Sequence, residues 1–135
     1  MGTDDYTKRL HFHIEHVREG IEIGVPNSAA QISFIRSDEA ADFLFWLGHT
    51  HLTGPVNACS DGTVRIGELI SIIEQVTAKQ AVMKEKTADE HMSPFGITQS
   101  WYMDTSKAQS EGYSFLSLHE WLPELVTSLN RSYKS

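Results

Sequence analysis

The chain has 135 residues, 40% hydrophobic and 21% charged, which fits one folded domain able to bury roughly two-thirds of the surface its unfolded chain exposes and excludes global disorder. Eleven Lys and Arg stand against eighteen Asp and Glu, a net charge of −7 with no basic cluster, so nucleic acid and anionic membrane are poor partners. The single Cys59 excludes an internal disulfide and a Cys-based zinc or iron–sulfur site, and places the chain best in the reducing cytoplasm.

The polar, acidic N-terminus, Met1-Gly2-Thr3-Asp4-Asp5, lacks the pattern of a signal peptide, and the longest apolar run, Phe43-Leu44-Phe45-Trp46-Leu47, is far short of the roughly 18 residues of a membrane span. Over residues 5–19 Leu10, Ile14 and Val17 recur at helical spacing and Gly20 stops the helix. Ile21, Ile23 and Val25, then Ile32-Ser33-Phe34-Ile35, suggest two short strands around the Pro26-Asn27-Ser28 turn. Ser37-Asp38-Glu39 caps an amphipathic helix that runs to Leu47 before Gly48.

Pro55-Val56-Asn57-Ala58-Cys59 has the pattern of a buried strand closed by Ser60-Asp61-Gly62. Ile66, Leu69, Ile70 and Ile73 predict a helix and Ala81 to Lys84 a strand. Ser93-Pro94-Phe95-Gly96 breaks the chain before a further strand over 100–103. Asp104 caps a short helix that Gly112 closes. In the last helix the capping pattern Ser117-x-x-Glu120 conflicts with Pro123, which moves the expected start towards Leu122 or predicts a kink. Alternating elements make this an α/β domain with a small, partly parallel sheet and flanking helices.

No chemical constellation here is self-sufficient. His11, His13 and His16 crowd the first helix, and His13 and His16 with His49 or Glu15 could supply three zinc ligands. Histidines on the polar face of an exposed helix are more often solvated, His49-Thr50-His51 reads as loop, and no zinc is expected. Ser, His and Asp lack a Gly-x-Ser-x-Gly anchor. Cys59 has no basic neighbour and reads as a buried structural thiol. Trp46, Trp101 and Trp121 read as core or interface. None of the nine glycines forms a phosphate-binding turn.

The order of segments carries more. Phe34-Ile35-Arg36-Ser37-Asp38-Glu39-Ala40-Ala41, Gly54-Pro55-Val56-Asn57, Val64-Arg65-Ile66-Gly67-Glu68-Leu69-Ile70, Asp104-Thr105-Ser106-Lys107-Ala108 with Gly112-Tyr113, and Leu118 to Leu122 resemble the C-terminal, substrate-binding portion of an extended short-chain dehydrogenase/reductase of the NAD-dependent epimerase/dehydratase family. The resemblance runs from about Leu10 to about Leu129. It implies a Rossmann-type parent whose N-terminal dinucleotide-binding domain is the missing partner, with NAD or NADP held there and no cofactor in this chain.

The family's Tyr-x-x-x-Lys pair is absent: the residues four after Tyr6, Tyr102 and Tyr113 are Leu10, Ser106 and Ser117. By the same resemblance the loops around Gln31, Ser33, Arg36, Ser93 and Phe95 bind a sugar-nucleotide or another small carbonyl or hydroxyl substrate. The arginines that grip a diphosphate in the family are missing beside Gln31-Ile32-Ser33 and Ser93-Pro94-Phe95. Alone, the chain is expected to be inactive; the rival expectation is a stand-alone binding or scaffolding module of the same fold. The edge left by the missing domain, with the helix after Arg65, Phe43, Phe45 and Trp46 as candidates, is expected to be apolar and to support a homodimer.

Overall fold

In a computed structural model, residues 1–3, 5 and 7–134 are described. The chain runs α1 (Arg9–Glu19), β1 (Glu22–Gly24), β2 (Gln31–Ile32), α2 (Ser37–Leu47), β3 (Val64–Arg65), α3 (Ile66–Thr77), β4 (Val82–Lys84), a 3-10 turn (Asp89–His91), α4 (Ser106–Ser110) and α5 (Leu118–Lys134). The strands form two separate ladders. β1 pairs in parallel with β4, and β2 pairs antiparallel with β3.

The core lies where α1, α3 and α5 meet. Ile66, Leu69, Ile70 and Ile73 put one face of α3 wholly out of solvent, against Leu10, Ile14 and Val17 of α1 and Leu118, Leu122, Val126 and Leu129 of α5. α1 begins at Arg9, later than its apolar spacing suggests; Tyr6, within the expected first turn, lies outside the described residues. It ends as expected at Gly20, whose φ of 68° is a left-handed conformation open to glycine at little cost. α3 ends at Ala78, also left-handed with φ 57°.

α2 has the bounds read from the sequence, yet it buries only Glu39 and Phe43 and leaves Leu44 and Phe45 66% and 74% exposed. A buried carboxylate ties this helix down. Glu39 accepts hydrogen bonds from the Leu116 amide (2.8 Å) and the Ser60 hydroxyl (3.3 Å), and Trp121 Nε1–H donates to that hydroxyl (2.8 Å). With its oxygens satisfied from two loops, the acid costs far less than an unpaired buried charge.

β1 and β2 stand on either side of the 26–28 turn as expected; Asn27 Oδ1 accepts the Ala29 amide, the Asn27 carbonyl accepts the Ala30 amide, and the chain turns away so that β1 takes β4. Three other expectations are corrected. Residues 55–59 form no strand; Asn57 Nδ2 instead donates to the Asp104 carbonyl (3.1 Å) and ties the segment to the loop before α4. The 100–103 segment contributes one bridge, Trp101 to Ile32. α5 starts at Leu118, because buried Leu118, Trp121 and Leu122 fix its first turn, and the bond that Pro123 cannot make concerns only the carbonyl of exposed His119.

The apolar face of the helix after Arg65 and the Phe43 ring belong to the protein's own interior; of the expected patch, Phe45 is exposed and Trp46 half-buried. Truncating Ile70 to Ala should therefore cost about 2–5 kcal/mol in urea unfolding, while Leu44→Ala should stay within about 0.5 kcal/mol. A loss at Ile70 no larger than that at Leu44 would contradict this placement of the core.

Candidate functional site

β2 and the extended residues after it form one wall of a cleft of about 270 Å³, with Ile32, Ser33 and Phe34 on that side. Pro94, Phe95 and Ile97 form the opposite wall, Trp101 stands at the edge with 57% exposure, and Asp5, Thr7 and Arg9 supply polar lining. An exposed indole beside a polar rim is a surface on which a sugar ring or base can stack.

The expected site residues divide. Ser33 and Phe95 line this cleft together. Gln31 flanks it, its backbone amide donating to Ser100 Oγ (3.0 Å) and its side-chain oxygen accepting from Thr63 Oγ1 (2.8 Å). Ser93 is buried behind the wall. Arg36 lies elsewhere: it is ion-paired with Asp38 at 2.5 Å and lines a larger cleft of about 590 Å³ with Gly2, Thr3, Glu124 and Ser128.

The histidines correct the sequence reading most sharply. His13 is fully buried and His16 nearly so, not solvated. In each, Nδ1–H donates to the carbonyl four residues back, Arg9 or Phe12, at 2.8 Å. A carbonyl can only accept, so the neutral ring keeps Nε2 as an acceptor. His13 Nε2 takes the Ser93 hydroxyl at 2.6 Å, and His16 Nε2 takes His91 Nδ1–H at 3.1 Å. The Phe95 amide in turn donates to Ser93 Oγ (3.1 Å), and the His13 and Phe95 rings stack 4.9 Å apart, within 8° of parallel.

Among the described residues no three His, Cys, Asp or Glu side chains come together to hold a metal. Cys59 is buried, as its apolar neighbours suggest, and burial pushes its thiol up despite a hydrogen bond with Ser33. Trp121 lies in the core as expected, but Trp101 does not. The burial of His13 was open to detection: positions 10, 13, 14 and 17 form an i, i+3, i+4, i+7 stripe. No spacing marked Trp101.

Burial lowers His13 to a pKa of about 4 from 6.5, with the Arg9 carbonyl partly opposing the shift. The unfolded chain then binds more protons than the folded one between those values, so this contribution to stability is complete above pH 6.5 and is lost as the pH falls towards 4. The loss should reach about 3 kcal/mol. Urea unfolding at pH 7, 5.5 and 4.5 should show this slope in the parent chain and a flatter one in His13→Gln, whose side chain does not titrate; equal slopes would contradict the assignment.

A dinucleotide needs a strand-to-helix turn with free backbone amides. The β3–α3 junction has the right order of elements, but the Ile66 amide donates to the Ala30 carbonyl (3.2 Å) and the Gly67 amide to the Ser28 carbonyl (2.9 Å). A Cβ on Gly67 would lie 3.2 Å from that Ser28 oxygen. The chain's own backbone thus fills the position a pyrophosphate would take, and these residues do not fit NAD or NADP.

No protein-family model matches the chain, and no curated protein matches it by sequence. Solved structures do match. GDP-mannoheptose C4 reductase from Campylobacter jejuni, with NADP bound, aligns with 100% of this chain and 47% of its own at TM-score 0.67 and 19% identity. For dTDP-4-dehydrorhamnose reductase from Bacillus anthracis, in complex with NADP, the shares are 95% and 45%, with TM-score 0.68 and 16% identity. UDP-N-acetylglucosamine 4-epimerase from Bacillus cereus gives 100% and 45%, TM-score 0.65 and 20% identity. The chain spans about half the length of these enzymes, and over that half it shares the fold of sugar-nucleotide reductases and epimerases, as the order of its segments leads one to expect.

Proposed function

We propose that the chain is the substrate-binding, C-terminal portion of an NAD(P)-dependent reductase or epimerase of the NAD-dependent epimerase/dehydratase family. In this reading it binds a sugar-nucleotide or a related small carbonyl or hydroxyl compound in the cleft between Ser33 and Phe95. The observation that carries this reading is the match of 93–100% of the chain to 39–51% of the matched chain in eight solved structures of such enzymes. The filled α3 N-terminus supports the division of labour: the cofactor, and hydride exchange with it, belong to a dinucleotide-binding domain outside this chain.

That partner also accounts for two features otherwise without purpose. α2 turns Leu44 and Phe45 to solvent, and residues 55–59 have the apolar pattern of a strand but no strand to pair with among the described residues. Both suit a surface covered by the other half of the enzyme. Within the cleft, Trp101 supplies a stacking face and Ser33 Oγ a polar contact, although that oxygen already accepts the Met103 amide at 3.1 Å. Arg9 is the cation nearest to hand, and Asp5 shares its field.

Calorimetry on this chain should give no NAD or NADP binding in the low micromolar range, and a Kd there, about −8 kcal/mol, would overturn the assignment of the cofactor to another domain. Saturation-transfer NMR with UDP-glucose, GDP-mannose and dTDP-glucose should reach Trp101, and Trp101→Ala should weaken the best of them by about five- to a hundredfold, the range for loss of one stacked ring. Absence of transfer from all three, with a strictly monomeric chain in sedimentation, would favour the non-catalytic module instead.

A further inference from the structure

The two buried histidines of α1 do the same thing three residues apart. Each spends its Nδ1 proton on its own helix, at Arg9 or Phe12, and each is left with one acceptor atom aimed out of α1. The two acceptors fall on one short piece of chain: His16 holds His91, and His13 holds Ser93. Phe12 stacks on His16 with ring centres 3.9 Å apart, and Phe95 stacks on His13, so neither imidazole can swing away without losing an aromatic contact.

From this geometry we infer that His13 and His16 form a two-point clasp that positions the 91–95 segment, and with it the Phe95 wall of the cleft, only while both Nε2 atoms are unprotonated. The relevance to a ligand rests on the reading of the cleft given above. A proton on His13 Nε2 turns the acceptor of Ser93 into a donor. The hydroxyl must then rotate, and the Phe95 amide faces a rearranged partner. A proton on His16 Nε2 sets two N–H groups against each other at 3.1 Å.

Charged neighbours do not rescue either acceptor. Around His13, which touches Phe12, Ser93 and Phe95, the titratable group acting on it is His16. His91 has Glu90 at 3.7 Å from its far nitrogen, and Glu22 of β1 is joined to Lys84 of β4 at 3.3 Å close by. These carboxylates lie beside His91 and not beside His16 Nε2. Arg18, on the next turn of α1, is engaged by Asn130 Oδ1 of α5 at 2.8 Å.

Nitrogen-15 NMR of the chain without ligand provides the test. At pH 7 both α1 histidines should carry their proton on Nδ1, and lowering the pH should shift the Phe95 ring resonances in step with protonation of His13. Gln places an acceptor near the Nε2 position and cannot take the proton. His13→Gln should therefore abolish the pH-linked movement of Phe95, and His16→Gln should not. Read at one pH, exchange of the Met92 and Phe95 amides should rise about tenfold in His13→Leu and no more than about twofold in His13→Gln.

An Nε2–H tautomer in either ring, or Phe95 resonances that ignore His13 protonation, would overturn the clasp. If His13→Leu does not fold, the tautomers and the Gln variants decide alone. No ligand enters these measurements, so a failed sugar-nucleotide titration strikes only the functional reading, and an absent clasp strikes only this one.

Discussion

Everything in this molecule hangs on the burial of one face of α3 between α1 and α5. Two ladders of two or three residues each cannot hold themselves together in water, and neither does so here: β1 and β4 flank the three-helix junction, and β3 runs straight into α3. Burial of large aliphatic side chains such as Ile66, Leu69, Ile70, Ile73 and Leu122, each contributing about 1.5–3 kcal/mol, supplies what the ladders lack. The strands then act as spacers that set where the loops leave the core.

The second level of organisation is polar. Glu39 fastens α2 to the loops at Ser60 and Leu116, Asn57 fastens the 55–59 segment to Asp104, and Lys107 Nζ donates to the carbonyls of Thr53 (2.7 Å) and Pro55 (3.1 Å). These bonds replace the strand pairing that residues 55–59 do not make. They hold the 53–60 stretch in shape while leaving its backbone largely free of ladder partners.

The helices were legible in the sequence to the extent that their apolar residues recur with the helical period. The acidic first turn and Gly48 marked the ends of α2, the Ile66, Leu69, Ile70 and Ile73 spacing marked the body of α3 but not its end at Thr77, and Gly20 marked the end of α1. β1, β2 and β4 were legible as strands, but residues 55–59 and 100–103 read as strands and are not, β3 was not anticipated, and pairing was not legible, because a three-residue segment such as Glu22–Gly24 carries no register information about Val82–Lys84. Pro123 misled because its cost was weighed without the burial of Trp121 and Leu122, which settles the first turn of α5. At the cleft, Ser33 and Phe95 of the expected residues come together as lining, whereas Trp101 stands at the edge through its exposure, and exposure is a property of the folded surface that no local pattern encodes.

The parallel pairing of β1 with β4 has a consequence for how the chain reaches its fold. Glu22 meets Val82 across sixty residues, so the ladder cannot close until α3 has brought its far end round, and loop closure of this length is unfavourable until packing offsets it. During synthesis the apolar stripe of α1 is made before its partners α3 and α5. The α1 segment therefore waits, with Leu10, Ile14 and Val17 unsheltered, until α3 and then α5 have followed it.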